Sequence, residues 1–522
     1  MPTSALMRTG RLRVLCAAIA AGALLSISHP VAGQDAAAII IGRIVTDAGA
    51  PAPGVSLRIA GTSHIVVTND AGVFRFSDVP AGEVELVIEQ IGWEPVRHVV
   101  PTTPGTTARV DIRLEPRALL LDQVVVTTSR EAQRRAETPA TVHSVSGAAI
   151  ERLRPSHPSE VMNRIPGVWV NVTGGEGHMA AIRHPMTTNP VYLYLENGVP
   201  TRSTGFFNHN ALYEMDVPHA ARVEVVKGPA TALYGSDAIG GMVNVLTRAP
   251  DDAAPFSVTG EGGSYGFGRM LASASSQAVL AELNITRTDG WRDGTSYGRQ
   301  SGTLRWDHGS GATTLRTILS YSHIDQNTAG TSALPEEEYR TTPRLNLTPV
   351  SFREVHAVRA SAAWERVAGS TLISVTPFAR WNAMEMLPNW SLTYDPVISE
   401  TGHASAGALI KARHDFLPIG LRAIAGLDLD YSPGSHREWQ IAASREGGVF
   451  TDYTRGDIVY DYDVTFRSVS PYLQLEAAPL DDVRIVAGVR YDVLGYGYDN
   501  PLGALQTGSH RRPAARTFTT ST

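Results

Sequence analysis

The sequence has almost no cysteine and very little lysine. Cys16 is its only cysteine, and only Lys227 and Lys411 among the 45 basic residues are lysines. Because Cys16 lies in an N-terminal apolar segment, the rest of the chain can form no disulfide framework, cysteine-ligated zinc site or thiol nucleophile. We interpret the preference for arginine as a coding bias, since the arginines form no basic stripe of the kind that nucleic-acid-binding proteins carry.

Long apolar runs are also missing. Beyond the N-terminus no run of 18 apolar residues occurs, which excludes a polytopic helical membrane protein. A membrane β-barrel stays open, because its alternating strands average to a hydropathy near zero. With 43% hydrophobic and 18% charged residues, the chain is neither a disordered acidic tail nor a coiled coil.

The N-terminus carries a targeting signal. Arg8, Arg11 and Arg13 precede an apolar run at residues 14–27, and small residues at 31–33 offer a cleavage point. The apolar run is too short to span a bilayer, so residues 1–33 are predicted to be a secretory signal peptide. We therefore expect the mature protein to work outside the cytoplasm.

Short alternating runs between turn signals follow at residues 39–115 and predict a small β-sandwich. The motifs at 42–47, 53–55, 68–74 and 91–93 are similar to those of the carboxypeptidase-regulatory-like domain. That resemblance implies an accessory sandwich without catalytic activity.

Residues 256–522 show alternation over about ten residues at a time, the length of a tilted membrane strand. In the run 421–431 one face is apolar and the other carries Arg422, Asp428 and Asp430. A soluble all-β sandwich would alternate too, but the strand length, the one-sided charges and the secretory signal favour an outer-membrane barrel.

Between these two zones the chain has a short helix capped by Ser159, followed by motifs at 165–168, 181–183, 194–200, 222–229 and 233–244. In order and spacing these motifs resemble the plug domain of TonB-dependent outer-membrane receptors. The sequence departs from the family pattern at His184, where glycine is usual, and at Glu196 and Asn197, where aspartate is commoner.

The resemblance implies a mainly β fold with an N-terminal β-sandwich, a mixed α/β plug domain and the first half of a 22-stranded antiparallel transmembrane β-barrel. The predicted domains are a signal peptide at 1–33, the sandwich at 39–115, a TonB box at 121–127, the plug at 130–250 and a partial barrel at 256–522. The last zone has room for about eleven strands, so we expect a C-terminally truncated chain.

The resemblance also implies the working parts. Three plug loops, at 173–178, 184–189 and 202–210, would face outside and touch the ligand. Their candidate ligand-binding residues are Glu176, His178, His184, Met186, Arg202, Phe206, Phe207 and His209. The TonB box would consist of Leu121, Asp122, Gln123, Val124, Val125, Val126 and Thr127. In the family, cations at the positions of Arg183 and Lys227 anchor the plug to barrel glutamates. We expect both to lack those partners here, because the glutamates would lie in the missing half.

The function implied is active uptake of a scarce solute across the outer membrane, most readily a ferric siderophore or another metal chelate. Arg202 and the two phenylalanines suit an anionic, aromatic chelate. His178, His184, Met186 and His209 permit direct capture of copper or zinc instead, although no firm metal site emerges. Uptake of a glycan also stays open, as does a non-transporting adhesin or structural barrel.

The expected partners are a TonB-like energy-transducing protein, an extracellular metal chelate and outer-membrane lipid, with no nucleic acid and no cofactor. Two enzyme patterns occur and are discounted. His157 and Glu160 match a zinc pair, but they lie where the plug has its short helix. Residues 262–266 match the nucleophile-elbow pattern without the strand and helix that the elbow requires. We therefore expect no enzymatic activity.

Overall fold

The computed structural model describes most of the chain after the signal segment. The described residues are 37–115, 124–125, 133–134, 138, 140–503 and 517–521, with gaps at 48, 63, 70, 89–92, 94, 188–190, 204–210, 236, 329, 417–419 and 481–482. The predicted signal peptide lies outside them. The chain divides into two units, residues 1–121 and 122–522.

The described part of the first unit consists of two small sheets. Its strands are Ala38–Thr46 (β1), Ser56–Ile59 (β2), Ile65–Val67 (β3), Val73–Val79 (β4), Gly82–Ile88 (β5), Val96–Thr102 (β6) and Thr107–Leu114 (β7). In one sheet β1 lies between antiparallel β4 and parallel β7, and in the other the order is β3-β2-β5-β6. The predicted β-sandwich is confirmed.

Alternating apolar residues of both sheets meet in the core of this sandwich. Ile40 and Ile44 of β1 pack with Phe74 and Phe76 of β4 in one buried cluster. The close approach of β1 to its neighbours requires glycine at Gly42, because a Cβ there would lie 2.5 Å from the Phe74 ring. The core of the sandwich is therefore tightly packed and apolar.

The second unit begins with the plug. Its strands are Val124–Val125 (β8), Gln133–Arg134 (β9), Thr141–Ser146 (β10), Val168–Gly174 (β11), Gly177–Ile182 (β12), Tyr192–Glu196 (β13), Val199–Pro200 (β14), Ala220–Lys227 (β15) and Gly241–Thr247 (β16). Its α-helices are Gly147–Leu153 (α1), Pro158–Met162 (α2) and Thr231–Tyr234 (α3), with 3-10 turns at Ala211–Glu214, Val217–His219 and Pro250–Asp252. The sheet order is β10-β15-β16-β13-β14, and β11 and β12 form a separate hairpin. The predicted mixed α/β plug is confirmed.

Helix α2 begins earlier than the sequence suggested. The N-cap is His157 rather than Ser159, and Pro158 occupies the first helical position. Ser159 N donates to His157 Nδ1 (3.0 Å), and His157 N donates back to Glu160 Oε1 (3.3 Å). This reciprocal capping box engages both residues of the apparent zinc pair in starting the helix.

A single large sheet, the wall, follows the plug. Its strands are Phe256–Gly262 (β17), Gly268–Ser275 (β18), Val279–Thr288 (β19), Tyr297–Ser310 (β20), Thr313–Asn327 (β21), Phe352–Ala368 (β22), Thr371–Leu387 (β23), Val397–Phe416 (β24), Leu421–Glu446 (β25), Val449–Leu480 (β26), Val483–Arg490 (β27), Val493–Asp499 (β28) and Thr517–Ser521 (β29), and helix Glu336–Thr341 (α4) lies between β21 and β22. Neighbours in the chain pair antiparallel from β17 to β26.

The described residues of the wall form 13 strands, more than the roughly eleven expected from alternating runs of about ten residues. Strands β27 and β28 pair with successive stretches of β26, so they follow one path that breaks at residues 491–492. Strand length grows from seven residues in β17 to 32 in β26. Among the described residues, no helix has the length and apolar character needed to cross a membrane.

Candidate ligand-binding site between plug and wall

The two ends of the wall differ in their connections. At one end the strands are joined across residues 328–351 and 388–396, and at the other by turns of two residues at 311–312 and 369–370. Outer-membrane barrels have longer extracellular loops and short periplasmic turns. We call these ends the loop end and the turn end.

The tip of the β11–β12 hairpin reaches the loop end. Glu176 N donates to Gln326 Oε1 (3.0 Å), and Gln326 Nε2 donates to Gly174 O (3.2 Å). Gly174 has a left-handed backbone, with φ of +129°, and a Cβ there would lie 2.6 Å from Gly330 O. Glycine is therefore required for the tip to meet the wall this closely.

Below the tip, a buried ion pair joins the hairpin to the wall. Glu176 Oε1 lies 3.3 Å from Arg299 Nη1, and Arg299 Nη2 donates to Met215 O (2.7 Å). His178 is fully buried, with Nδ1 2.9 Å from Glu176 O and its ring edge-on to Tyr213. These contacts fix the hairpin against the wall.

Arg202 and two plug glutamates form the centre of the contact. Arg202 pairs with Glu214, whose Oε1 also accepts from Asn382 Nδ2 (2.8 Å). Arg359 of β22 holds Glu196 through two parallel bonds of 3.0 and 3.1 Å and donates to Glu214 O (2.9 Å). Burial lowers the pKa of Arg202 to about 10, so it remains charged at neutral pH.

Arg353 of β22 adds a positive charge close to the hairpin tip. Its guanidinium lies 5.9 Å from the ring centroid of Tyr213, and its Nη2 lies 3.5 Å from Met386 Sδ. Nε and Nη1 are buried and have no hydrogen-bond partner among the described residues. Buried polar atoms are normally partnered, so these two donors stand out within the described contact. Nη1 is packed closely against Gly177, because a Cβ there would lie 2.8 Å from it.

Arginines on the inward face of the wall share a second role, which is to donate to backbone carbonyls of the plug. Among the described residues these contacts are Arg269 to Arg154 and Pro155, Arg299 to Met215, Arg305 to Thr247 and Arg248, Arg359 to Glu214, Arg380 to Pro200, and Arg490 to Leu233. Charged donors of the wall thus hold several backbone segments of the plug.

An aspartate–histidine pair lies beside this contact. His219 Nδ1 is 2.6 Å from Asp216 Oδ2, and Asn284 Nδ2 donates to Asp216 Oδ1 (3.1 Å). Burial alone would raise the pKa of Asp216, but His219, Arg299 and Asn284 outweigh it and hold the pKa at about 2. Burial alone would lower the pKa of His219, but Asp216 and Glu282 raise it above its usual value.

Comparisons with known proteins identify these parts. The family model named TonB-dependent Receptor Plug Domain matches residues 134–242, and the Carboxypeptidase regulatory-like domain matches residues 39–115. The vitamin B12 transporter BtuB of Vibrio vulnificus (strain CMCP6) is 33% identical over 209 residues, 40% of this chain and 31% of the transporter.

Solved structures match the fold over a longer stretch. The ferric citrate transporter FecA in its unliganded form has a TM-score of 0.60 at 15% identity, covering 74% of this chain and 60% of FecA. BauA, the ferric preacinetobactin receptor from Acinetobacter baumannii, has a TM-score of 0.57 at 15% identity, covering 77% of this chain and 64% of BauA.

The chain carries the plug domain of the TonB-dependent receptors.

With this plug and the wall that follows it, the chain is an outer-membrane protein. The matched relatives are receptors and transporters rather than enzymes. The chain spans about a third of the length of the matched curated relative and about three fifths of the solved receptors.

The structure separates the predicted ligand residues of the receptor. Glu176, His178 and Arg202 are buried, whereas His184 and Met186 are exposed. His178 is the second residue of β12, and the four strand residues that follow it span roughly 13 Å, at about 3.3 Å per residue, before the chain reaches His184. The histidines of the two loops are therefore not brought together. Phe206, Phe207 and His209 lie outside the described residues.

The predicted coupling and anchor residues are described only in part. Within the predicted TonB box, Val124–Val125 form β8 and pair with β9, and the other five residues lie outside the described part. Arg183 is exposed, with a left-handed φ of +55°. Lys227 is buried, and its Nζ donates to Pro166 O (2.6 Å). The roles of these residues remain predictions.

Sequence reasoning missed Glu214, Arg353, Arg359 and Arg380 as members of this site. A signal was present, because these arginines occupy the charged face of alternating strands. The carbonyls and glutamates that they meet lie more than 100 residues away in the chain, and no local pattern reports such contacts.

Proposed function

We propose that the receptor takes up an anionic metal chelate, a ferric siderophore in the first instance, across the outer membrane. A TonB-like partner would supply the energy through the segment 121–127. The similarity to ferric-chelate receptors is a similarity of fold. The class of solute is inferred instead from the chemistry of the contact between plug and wall.

One observation carries the proposal, namely the buried donors of Arg353 at the loop end. Arg353 lies beside Tyr213, and its Nη1 packs against Gly177 at the hairpin tip. A movement of the tip would expose donors that have no partner among the described residues, and a guanidinium next to an aromatic ring suits an anionic chelate with aromatic groups, through charged hydrogen bonds and stacking. Arg202, matched earlier by position, lies in the same charged contact and would be the second cation.

The remaining predicted ligand residues have different roles in this proposal. His184 and Met186 are exposed and accessible to a solute, whereas Glu176 and His178 would act by holding the hairpin tip in place. Phe206, Phe207 and His209 complete the proposed set. Direct capture of copper or zinc is less well supported, because His178 already contacts the Glu176 carbonyl and stands apart from His184 and Met186.

The pairing of β8 with β9 supports the proposed coupling mechanism. Val124–Val125 already adopt extended backbone, and β-branched residues favour it. A periplasmic partner could take this segment as an added strand after displacing β9. The proposal includes no enzymatic step, since His157 and Glu160 cap α2 and Ser264 lies in the connection between β17 and β18.

Calorimetry on the full chain in detergent tests the proposal, with a panel of ferric siderophores and vitamin B12 as the comparison ligand. Arg353→Ala should weaken binding of the preferred ferric siderophore by roughly 10–100-fold, the value of one to two charged hydrogen bonds. The matched control is Arg366→Ala, which alters an exposed arginine at the other end of the same strand. Equal affinity in the two variants, or binding of vitamin B12 alone, would contradict the proposal.

A further inference from the structure

Two histidines and a glutamate cluster on the outer face of the wall. His323 of β21 stands directly opposite His356 of β22, and Glu354 precedes His356 by two residues. Side chains two apart on a strand share a face. Ile324 and Val355, which alternate with the cluster, pack against the plug residue Tyr213. The cluster therefore points away from the plug and the lumen.

The distances within the cluster match those of a metal site. Glu354 Oε1 lies 3.4 Å from His323 Nε2 and 3.3 Å from His356 Nε2, and the three ligand atoms all lie within 4.8 Å of one another. Ligands placed about 2.0–2.1 Å from a tetrahedral zinc ion stand roughly 3.3 Å apart. Two edges of such a tetrahedron are therefore already present.

The side-chain amide of Gln300 lies beside one imidazole of the cluster, that of His323. His323 Nδ1 lies 3.3 Å from Gln300 Oε1 on β20. If Nδ1–H donates to this oxygen, the lone pair on Nε2 is left facing Glu354, which is the usual arrangement around a metal-binding histidine. The rings of His323 and His356 are stacked, with centroids 4.2 Å apart and planes 11° apart. Because each nitrogen binds in the plane of its own ring, one ring must turn when an ion binds.

The surrounding charges favour a cation. Glu354 stands directly opposite Asp325 on one side and Glu385 on the other. Like charges directly opposite in a sheet are destabilising. Arg455 lies 2.7 Å from Glu385, and a cation at Glu354 would relieve the remaining repulsion from Asp325.

We propose that His323, Glu354 and His356 bind a divalent transition-metal ion, with Zn²⁺ as the first probe, on the outer face of the wall. Two imidazoles and a carboxylate suit zinc and its neighbours better than calcium or magnesium. Three protein ligands leave the fourth position open to the surroundings. The site joins β21 to β22 and, because it faces away from the plug, it is separate from the path of the transported solute.

A Zn²⁺ titration against a competing chelator tests the site, with the full chain in detergent and no polyhistidine tag. One Zn²⁺ per chain should bind, and His323→Gln or His356→Gln should weaken binding by at least about 100-fold, since loss of an outer partner alone costs about 10–100-fold. Gln300→Ala should fall within that smaller range. The control is His308→Gln, which removes an exposed histidine that stacks on Trp306 in β20.

A second readout identifies the ligands directly. Electron paramagnetic resonance of bound Cu²⁺ should show coupling to two imidazole nitrogens in the unaltered chain and to one in His356→Gln. The absence of stoichiometric Zn²⁺ binding would overturn the proposal. Equal weakening by His308→Gln and His356→Gln, or an unchanged Cu²⁺ spectrum in His356→Gln, would overturn it as well. Siderophore binding should be the same in all these variants, so the outcome is independent of the proposed transport function.

Discussion

The core of the N-terminal sandwich and the contact between plug and wall are both buried, yet they differ in chemistry. The sandwich core is a cluster of aliphatic and aromatic side chains such as Ile40, Phe74 and Leu86. The contact between plug and wall has apolar patches too, but it also contains many arginines, glutamates and backbone carbonyls, among them the doubly bonded pair of Arg359 and Glu196.

The chemistry of a buried surface determines how easily its two sides can be separated. Separating an apolar core exposes hydrocarbon to water, at about 25 cal/mol for each Å². When hydrogen-bonded ions are separated, water replaces most of each bond, so the net value is only about 1.5–3 kcal/mol for a hydrogen bond to a charged group. A plug that must rearrange within a wet pore is better attached by the second kind of contact.

The largest expected effect tests whether a TonB-like partner acts on the plug through the segment 121–127. Val125→Pro removes a backbone donor from the segment that a TonB-like partner would add as a strand. We expect uptake of the ferric siderophore by whole cells to be abolished while binding to the cell surface is unchanged. Val87→Pro, in the apolar sandwich, should instead damage folding of that unit. Normal uptake by Val125→Pro would contradict the coupling role of residues 121–127.

The next effect compares the two buried surfaces directly. Arg359→Met leaves Glu196 buried without its partner, and should destabilise the docked plug by about 3–5 kcal/mol, measured as faster hydrogen exchange in β13 and β14. Adding Glu196→Gln should restore much of that loss, because an uncharged pair needs no counter-ion. Phe74→Ala should cost the sandwich about 3–5 kcal/mol. Failure of the double variant to recover would show that the ion pair is not what holds the plug.

The smallest effect is a dependence on pH that only the charged contact should show. Since the pKa of His219 is raised in the folded state, its stabilising contribution is complete below its unfolded pKa and is lost as the pH rises through the folded value. The Asp216 contribution, with a pKa of about 2, is lost only at strongly acidic pH. Hydrogen-exchange protection of Val217–His219, corrected for intrinsic rates, should therefore fall between pH 5 and pH 8.5. His219→Asn should remove this change, and a rise in protection with pH would contradict it.

The architecture was predictable because its signals are local. Two-residue alternation across 421–431 marks β25, and the plug motifs occur in order along the chain. The extent of the strands was not predictable in the same way. The alternating run around Tyr431 was read as one membrane crossing that ends there, but β25 continues to Glu446, because hydrogen bonding to β26 sustains the strand beyond the region that lipid would select.

The site was less predictable than the fold. Arg202 was found by its position in a loop, whereas nothing in the sequence set Arg353 apart from the other residues of 256–522. The abundance of arginine was interpreted as a coding bias, yet arginines of the wall meet carbonyls of the plug in the folded chain. A planar group with five donors can reach a carbonyl and a carboxylate together, and that use depends on contacts between distant segments.

The strands of the wall lengthen steadily from β17 to β26, so the loop end of the wall is uneven. A crossing of the bilayer takes about 9–11 residues, whereas β25 and β26 have 26 and 32. The surplus extends the β25–β26 hairpin past β24 at the loop end, and Gly447 and Gly448 close it in left-handed backbone conformations. A macromolecule that approaches the loop end would therefore meet this hairpin before it reaches the shorter strands of the wall.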